Sequence, residues 1–357
     1  MGKRRMKRYK IDREPSYKKS GSHTGIDEGI DVSYYGDRGR YPLVAKVFKD
    51  EFCSLEDFKW KEVSLVDCTR IQNIAWLHGL APRVFDIVII ESPTREYYAQ
   101  IVENVPDRER GTMTKERGEY WQAVRTANNI GITSIDPNRH NRYRDYIVDF
   151  SQYYFVGNYR DILLVNAKEN MGWGSNPLPY QSVAELGIEG QRIHDLRPLT
   201  YGFDEIDFNG KTVIDFGCSG GSLCREASKR GAKRVVGLEV PDVARVAFEI
   251  SNYLGYYNID FYGDSFDHRG RGNIRNIIER YTGEDSFDIV LYLSCIKQLG
   301  LPTYLKEFTK EMLIFEGHGS DSLESRKSEL GQYFNKITEH GSTRDHGVRK
   351  VLLCENK

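Results

Sequence analysis

The stretch that decides the fold reads KTVIDFGCSGGSL and spans residues 211–223. It begins with an apolar strand pattern that contains a single acid, Asp215, and then enters a glycine-rich turn. Glycine accepts a left-handed backbone and lets a ligand approach the main chain closely. A helical pattern starts near Ser222 and ends at Gly231, a residue type favoured after a helix C-terminus. The stretch therefore predicts a strand, a tight turn and a helix whose first N–H groups can face a ligand.

Short β-rich runs alternate with helical runs from here to the end of the chain. The predicted strands cover residues 212–216, 234–238, 259–262, 287–293 and 312–315. Strands this apolar, separated by helices, predict a parallel sheet that is covered on both faces. The last two β-rich runs, 334–339 and 350–354, are predicted to form an antiparallel edge. We therefore predict an α/β fold with a doubly wound, mostly parallel sheet over residues 195–357.

Acidic residues stand at the ends of the first three predicted strands of this sheet. Asp215 lies in the first strand, Glu239 ends the second, and Asp264 follows the third. Open α/β sheets bind ligands outside the carboxyl ends of their strands, and an acid there can accept hydrogen bonds from ribose hydroxyls. We expect the three carboxylates to converge around one nucleoside-sized hollow.

This arrangement resembles the class I S-adenosylmethionine-dependent methyltransferases over about residues 192–357. Their first motif matches Asp215-x-Gly217-x-Ser219-x-Gly221, with Ser219 where the family most often has glycine. The resemblance implies S-adenosylmethionine as the cofactor, Glu239 at the ribose and Asp264 at the adenine amino group. The cofactor-binding residues that it predicts are Asp215, Gly217, Cys218, Ser219, Gly221, Glu239 and Asp264.

The methyl acceptor is harder to predict than the cofactor. The sulfonium is already activated, so the enzyme has mainly to align the acceptor and exclude water. By resemblance, the acceptor faces the end of the fourth strand, residues 287–292. Ser294, Lys297 and Gln298 follow that strand and His318 follows the fifth; Lys297 and His318 are the predicted catalytic candidates, although each also fits a loop or packing role.

Two other enzyme classes share part of the glycine motif. Nicotinamide dehydrogenases have Gly-x-Gly-x-x-Gly, and an acid just before the turn is less typical of them. Gly217-x-Ser219-x-Gly221 also matches the nucleophile elbow of α/β hydrolases, with His318 downstream. The hydrolase interpretation leaves Glu239 and Asp264 without a role, although either acid alone can be a solvated loop residue.

A second set of charged residues lies in residues 41–165. Lys46 projects from an apolar strand pattern, and Glu62 lies on the apolar face of a predicted helix, residues 55–77. A buried carboxylate needs a cation, which Lys46 would supply. Further along, Asp136 precedes Asn141 by five positions, and a later apolar run ends in Asp149.

This second set resembles protein-kinase-like folds of the small-molecule and sugar type. The resemblance implies ATP and Mg²⁺, with Lys46 and Glu62 at the phosphates, Asp136 at the acceptor hydroxyl, and Asn141 and Asp149 at the metal. The sequence departs from that pattern, because Ser134-Ile135 replaces His-Arg and Ser151 replaces the glycine after Asp-Phe. The alternative is an α+β recognition domain whose charged residues form surface ion pairs.

The amino-acid composition limits the remaining classes of function. The 357 residues carry 51 Lys and Arg against 52 Asp and Glu, so no overall field attracts nucleic acid or a membrane. No apolar run reaches the ~18 residues of a membrane helix. The six cysteines include no Cys-x-x-Cys pair, so the sequence predicts neither a disulfide framework nor a cysteine-based metal site. We therefore expect the protein in the reducing cytoplasm. Residues 1–40 are predicted as a basic, polar tail, either solvated or in contact with RNA.

The combined prediction is a tail over 1–40, a kinase-like domain over 41–165, a linker over 166–194 and a methyltransferase over 195–357. The kinase-like domain would phosphorylate or bind the acceptor, a phosphorylated glycan or another small molecule, by analogy with known kinase–methyltransferase fusions. One alternative is an inactive N-terminal domain that recruits RNA or protein. A further alternative is a cofactor sensor without enzymatic activity.

Overall fold

The computed structural model contains two compact units, Met1–Tyr159 and Arg160–Lys357. The residues that it describes are 6–16, 24–36, 38, 41–48, 64–104, 126–130, 132–134, 142–143, 146–147, 153–155, 159–172, 178–192, 197–264, 278–279, 282–295, 299–300, 305–318, 322–343 and 348–356. The boundary between the units assigns Arg160 and the residues after it to the C-terminal unit, including the segment that sequence analysis had called a linker.

The N-terminal unit is built on a five-stranded mixed sheet with the order β1-β4-β5-β3-β2. Its strands are β1 (Arg8–Lys10), β2 (Thr24–Asp27), β3 (Leu43–Phe48), β4 (Val84–Glu91) and β5 (Glu96–Glu103). Neighbouring strands are antiparallel, except that β1 runs parallel to β4. The prediction of a tail over residues 1–40 was therefore wrong for β1 and β2, which pair with the sheet through their backbones.

One long helix and two short strand pairs accompany this sheet. Helix α1 (Leu65–Leu77) begins after Ser64, whose side chain accepts a hydrogen bond from the N–H of Asp67. The strand pairs are β6 (Ile132–Ser134) with β9 (Tyr153–Phe155), and β7 (Arg142–Tyr143) with β8 (Tyr146–Ile147). Buried side chains of β3, β4 and β5 form the core of this unit.

The C-terminal unit contains a seven-stranded sheet with the order β12-β11-β10-β13-β14-β16-β15. Its strands are β10 (Thr212–Phe216), β11 (Arg234–Glu239), β12 (Ile259–Gly263), β13 (Phe287–Leu293), β14 (Thr309–Glu316), β15 (Lys336–Thr343) and β16 (Arg349–Glu355). Strands β10 to β14 are parallel, and β16 lies antiparallel between β14 and β15. The strand order reverses at β10, because β11 lies on one side of it and β13 on the other, and open α/β sheets bind ligands in the crevice at such a point.

Helices cover both faces of the seven-stranded sheet, because its inner strands are apolar on both sides. The helices of this part of the chain are α2 (Tyr159–Asn170), α3 (Arg197–Thr200), α4 (Ser222–Lys229), α5 (Pro241–Tyr253), α6 (Leu305–Phe308) and α7 (Leu323–Leu330). Two buried clusters, one on each face, share the alternating residues of β10, β11 and β13. The α/β, mostly parallel architecture predicted from the sequence is confirmed.

The region between the predicted domains is more regular than the sequence suggested. Closely spaced glycines and prolines predict irregular structure over residues 157–200, yet α2 occupies Tyr159–Asn170. The described residues after α2 are held by isolated bridges, among them Gln181 with Arg192 and Val183 with Ile188. In the part of the chain that is described, no helix is both long and apolar enough to cross a bilayer.

Candidate cofactor and acceptor site

Three acids lie at the carboxyl ends of three neighbouring strands. Asp215 of β10 is paired with Gly237 of β11, and Glu239 at the end of β11 is paired with Gly263 of β12. The N–H of Asp264, just after β12, donates to the carbonyl of Glu239 at 3.0 Å. Strand register therefore brings these acids to the same edge as the crevice beside β10.

The glycine-rich turn closes over the end of β11. The N–H groups of Gly217 and Cys218 both donate to the carbonyl of Leu238, at 2.9 and 3.1 Å. The next N–H, that of Ser219, donates to Oε2 of Glu239 at 2.8 Å. Ser219 has a φ of 49° and Gly217 one of 66°, so the turn uses the left-handed region at a non-glycine residue as well. This strained turn directs successive N–H groups toward the second strand.

The protein's own side chains also require the glycines of this turn. A Cβ on Gly217 would lie 2.9 Å from the Cys295 sulfur. A Cβ on Gly221 would lie 2.5 Å from the Phe261 ring, and one on Gly220 would lie 2.1 Å from the Met171 methyl group. Sequence reasoning assigned the glycines to the sharp turn and to ligand approach, and it missed this packing because the three partners come from distant parts of the chain.

Cys218 contributes its backbone rather than its side chain to the turn. Its side chain is buried in the core cluster on one face of the sheet, and burial raises the pKa of its thiol well above the usual value. Nearby, the thiol of Cys224 donates to Oδ2 of Asp215 at 3.5 Å. Cys218, predicted from the family motif as a cofactor-binding residue, therefore presents only main-chain atoms at the carboxyl edge.

The carboxylates of this edge are held in an environment that favours a cationic or hydroxyl-bearing ligand. Asp215 is 3% exposed, and burial raises its pKa to about 7, while the charge of Arg197 acts in the opposite direction. Burial also raises the pKa of Glu239, against hydrogen bonds from the N–H groups of Val240 and Ser219. Neither acid forms an ion pair with a described residue. Amino and ribose hydroxyl groups, which S-adenosylmethionine carries, fit this set of acceptors.

A segment before the sheet packs onto the glycine-rich turn. We call residues 160–172 and 178–192 the covering segment. Besides the Met171 contact, the hydroxyl of Ser222 donates to the carbonyl of Ser182 at 3.0 Å, and Lys229 pairs with Glu185 at 3.0 Å. Sequence analysis treated most of this segment as a linker, since its irregular composition carries no periodic signal.

The ends of β13 and β14 form a second polar centre at the same edge. Ser294, directly after β13, has a φ of 61° and donates its N–H to the carbonyl of Glu316 at 3.0 Å. Its hydroxyl donates to the Glu316 carboxylate and accepts a hydrogen bond from Arg349 at 2.7 Å. Tyr201 and Thr343 also donate to Glu316, which is fully buried. Of the acceptor-side candidates, the structure therefore places Ser294 in a network.

The structure describes only one of the two catalytic candidates on the acceptor side. His318 lines a small cavity together with Gly317, Arg326 and Lys350, beyond the end of β14. Lys297 lies outside the described residues.

The kinase-like candidates are described only in part. Lys46 lies in β3 opposite Gln100 of β5, and its ammonium is 5.7 Å from the centre of the Phe48 ring. The remaining four candidates, Glu62, Asp136, Asn141 and Asp149, lie outside the described residues.

Comparison with known proteins gives short sequence matches. No family model matches the chain. The ribosomal protein L11 methyltransferase of Vibrio cholerae is 34% identical over 82 residues, which cover 23% of this chain and 22% of that protein. The corresponding protein of Alteromonas mediterranea is 57% identical over 37 residues, or 10% of this chain and 13% of that protein. The chain thus matches less than a quarter of the length of either relative.

Solved structures resemble the chain at low identity. WbdD is 16% identical and superposes with a TM-score of 0.42 over 55% of this chain and 47% of that chain. Magnesium protoporphyrin IX methyltransferase from Synechocystis is 18% identical, with a TM-score of 0.35 over 47% and 79%. Ribosomal protein L11 methylase from Lactobacillus delbrueckii is 19% identical, with a TM-score of 0.36 over 47% and 82%.

The class of the C-terminal unit follows from its own architecture. A central β10 flanked by parallel strands, an antiparallel strand inserted before the edge, a glycine-rich turn and acids at successive strand ends occur together. This combination is typical of the class I methyltransferase fold, and the curated relatives that match short stretches of the chain are methyltransferases.

Proposed function

We propose that the C-terminal unit binds S-adenosylmethionine across the carboxyl ends of β10, β11 and β12 and transfers its methyl group to an acceptor beside the end of β13. The observation that carries this proposal is the placement of Asp215, Glu239 and Asp264 at one edge, next to the point where the strand order reverses. Acids that were only solvated loop residues would not be expected to recur at the ends of three neighbouring strands.

Glu239 is the acid that would hold the ribose. Its two carboxylate oxygens accept from the N–H groups of Ser219 and Val240, at 2.8 and 2.9 Å. A carboxylate has about four lone-pair sites, so two remain for ribose hydroxyls. The backbone contacts fix the orientation of the carboxylate before the cofactor arrives, which reduces the ordering needed on binding. Asp264, joined to the Glu239 carbonyl, would contact the adenine amino group.

The protein's part in the transfer is to position the acceptor and exclude water. The sulfonium of the cofactor supplies an activated methyl group, so no strong base is required. The covering segment packs against the turn through Met171 and Ser182, which supports a role in shielding the cofactor from solvent. A reacting acceptor must approach from the β13 side, where Ser294 lies.

For the N-terminal unit we propose a kinase-like role in phosphorylating or binding the acceptor, with ATP and Mg²⁺ as cofactors. Support comes from Lys46 on β3, an inner strand of the mixed sheet that is followed along the chain by helix α1 and then by the β4–β5 hairpin of the same sheet. Asp136, Asn141 and Asp149 would complete the site. The acceptor would then be a phosphorylated glycan or another small molecule.

The alternative in which a basic tail recruits RNA is weakened by contacts of the described basic residues. Arg8 pairs with Glu91 and Glu96 at 2.5 Å each. Lys7 lies over the ring of Tyr34, and Arg13 forms two hydrogen bonds with Asp27. Side chains that are engaged in this way would have to leave the sheet before they could neutralise phosphates.

Calorimetry of the full chain tests both assignments. Wild type should bind S-adenosylhomocysteine and, separately, Mg-ATP. Asp215→Ala should lose only the first ligand, and Lys46→Met only the second, because the two residues lie in different compact units. Lys336→Met, which removes an exposed lysine paired with Glu355, is the matched control and should bind both ligands. A wild type that binds Mg-ATP but no S-adenosyl ligand would show that the methyltransferase assignment is wrong.

A further inference from the structure

Two buried arginines approach one buried carboxylate at the ends of β13 and β14, and a third is joined to it through the hydroxyl of Tyr201. Arg192 comes from the covering segment, Arg197 from α3 and Arg349 from the start of β16, and they are 1%, 5% and 7% exposed. The carboxylate is that of Glu316, which is 0% exposed. Arginine is rarely buried unless it is paired, so this concentration of positive charge calls for an explanation.

The described contacts of the cluster leave one of the three arginines without a carboxylate partner. Arg192 and Arg349 approach the Glu316 carboxylate at 3.5 and 3.9 Å. Arg197 instead donates from two nitrogens to the hydroxyl of Tyr201, at 3.3 and 2.9 Å. Burial raises the pKa of Tyr201 above its usual range, so this hydroxyl is neutral and supplies no counter-charge. Within the described residues, Arg197 therefore forms no ion pair.

Arg349 also keeps unused hydrogen-bonding capacity. Its Nη1 donates to the Ser294 hydroxyl at 2.7 Å, while its Nε is buried and has no hydrogen-bond partner among the described residues. An orphaned buried N–H is destabilising by about 1–3 kcal/mol, so native structures seldom keep one without a reason. A guanidinium with an open donor and incomplete charge compensation is suited to an oxyanion.

The position of this cluster connects it with the acceptor side of the cofactor site. Ser294, which is half-buried, follows β13, the strand next to Asp215 of β10. The charge of Arg197 acts on Asp215, so the cluster and the cofactor edge share one electrostatic environment. Ser294 is also one of the two described non-glycine residues with a positive φ, and the other, Ser219, lies in the cofactor turn. Such strain concentrates at functional sites.

We propose that Arg197, Arg349 and the Ser294 hydroxyl form an anion subsite that binds an oxyanion of the methyl acceptor, a phosphate or a carboxylate group. The proposal rests on the proposed methyltransferase function, because it assigns the substrate class of that same site. The arginines position the acceptor and take no covalent part. Glu316 holds Arg349 and Ser294 in place, and the bound oxyanion completes the charge balance around Arg197.

Anion titration of the cofactor-loaded protein tests this subsite. Full-length protein saturated with S-adenosylhomocysteine would be titrated with inorganic phosphate and, in a separate experiment, with acetate, and calorimetry would measure the affinity for each anion. Wild type should bind at least one of them, and the stronger of the two identifies a phosphate-type or a carboxylate-type acceptor. Arg349→Gln should weaken that binding about tenfold or more and leave the affinity for S-adenosylhomocysteine unchanged.

Two further variants distinguish the planar geometry of the Arg349 guanidinium from its charge, and a loss of anion binding from a loss of folding. Arg349→Lys keeps the charge but loses the planar fork, so its affinity for the anion should fall between those of wild type and Arg349→Gln. Arg192 still pairs with Glu316 when Arg349 is replaced, which keeps the buried carboxylate compensated. Ser294→Ala, a smaller change, should weaken anion binding as well. Arg230→Gln, which alters a half-buried arginine that pairs with Glu226 just after α4, is the matched control and should bind like wild type.

The outcomes distinguish this proposal from the proposed function. If wild type binds S-adenosylhomocysteine but neither phosphate nor acetate, the anion subsite is wrong and the methyltransferase assignment stands. If Arg349→Gln and Ser294→Ala weaken S-adenosylhomocysteine rather than the anions, the arginines serve the cofactor carboxylate and the acceptor subsite is wrong. If wild type binds no S-adenosylhomocysteine, the proposed function itself fails.

Discussion

The carboxylate of Glu239 accepts a hydrogen bond from the N–H of Ser219 at 2.8 Å and so joins the end of β11 to the turn after β10. The left-handed backbone of Ser219, with a φ of 49°, directs its N–H toward the acid. Two residues that the family motif treats separately are thus one structural element. A change at Glu239 will therefore act on the turn as well as on the proposed ribose contact.

Replacing Glu239 by glutamine should weaken S-adenosylhomocysteine binding by about 1.5–3 kcal/mol, the usual worth of a hydrogen bond to a charged group. The amide keeps one acceptor oxygen but sets an NH₂ donor against the N–H of either Ser219 or Val240. Calorimetry with wild type and variant measures the difference. Asp242→Asn, an exposed acid in the first turn of α5, is the control and should bind normally. Equal weakening in both variants would show a general charge effect instead.

The stability of the protein should fall as the pH rises from about 4 to about 7 because of Asp215. Its folded-state pKa is raised to about 7 by burial, so the folded chain keeps a proton that the unfolded chain releases near the usual aspartate pKa of 3.8. Stability linked to this group is complete below the unfolded pKa and is lost as the pH passes through the folded pKa, at most about 1.4 kcal/mol per pH unit.

Asp215→Asn should remove that slope, because the amide does not titrate. Urea unfolding at several pH values from 5 to about 8 would compare the two proteins. The stability of the variant relative to wild type should increase with pH and level off above the folded pKa. A difference that stays constant over this range would contradict the assignment of a buried, protonated Asp215.

Gly221→Ala should destabilise the protein by about 2–4 kcal/mol, through a left-handed backbone and an overpacked contact together. Its φ is 72°, and an added Cβ would lie 2.5 Å from the Phe261 ring. Gly255→Ala is the matched control, because Gly255 has a φ of 86° and a Cβ added there would meet no atom within 4 Å outside its chain neighbours. The control should lose only the backbone part, about 1–2 kcal/mol. Adding Phe261→Leu to Gly221→Ala should recover the packing part, and no recovery would show that the contact is irrelevant.

Asp260→Ala should destabilise the protein by about 1–3 kcal/mol, because it removes the closer of the two carboxylates that pair with the buried Arg234 and leaves only Glu284, at 3.2 Å. Asp260 is 1% exposed and accepts a hydrogen bond from Arg234, itself 5% exposed, at 2.9 Å. Glu355→Gln breaks the exposed pair with Lys336 and should change stability by only about 0–1 kcal/mol. Urea unfolding measures both. Similar losses in the two variants would mean that burial does not govern the strength of these pairs.

The order of elements in the C-terminal unit could be predicted from local sequence. β10, the glycine turn and α4 fell close to their predicted bounds, because apolar runs, glycines and helical periodicity act over a few residues. The antiparallel pairing of the last two strands was also predicted. Its position was not: β16 is inserted next to β14 and leaves β15 at the edge. Nothing periodic in a strand indicates which of its neighbours it will pair with.

The N-terminal unit shows where a composition-based prediction fails. The basic start of the chain suggested a solvated tail, yet Arg8–Lys10 pairs with β4 in parallel register. Three residues are too few for a period-two pattern to stand out, and the compensating acids, Glu91 and Glu96, lie far along the chain. Charge density alone therefore could not distinguish an exposed arm from an edge strand.

By itself the sequence determined the strand, turn and helix of residues 211–223, the acids at successive strand ends and the parallel sheet class. These are local features, since backbone freedom and the spacing of apolar residues act between near neighbours. Only the tertiary structure brought Arg192, Arg197 and Arg349 to Glu316 and placed Met171 and Phe261 against the turn. Contacts between distant segments depend on which strands pair in the sheet and which charges are buried together. Neither property leaves a periodic signal in the chain.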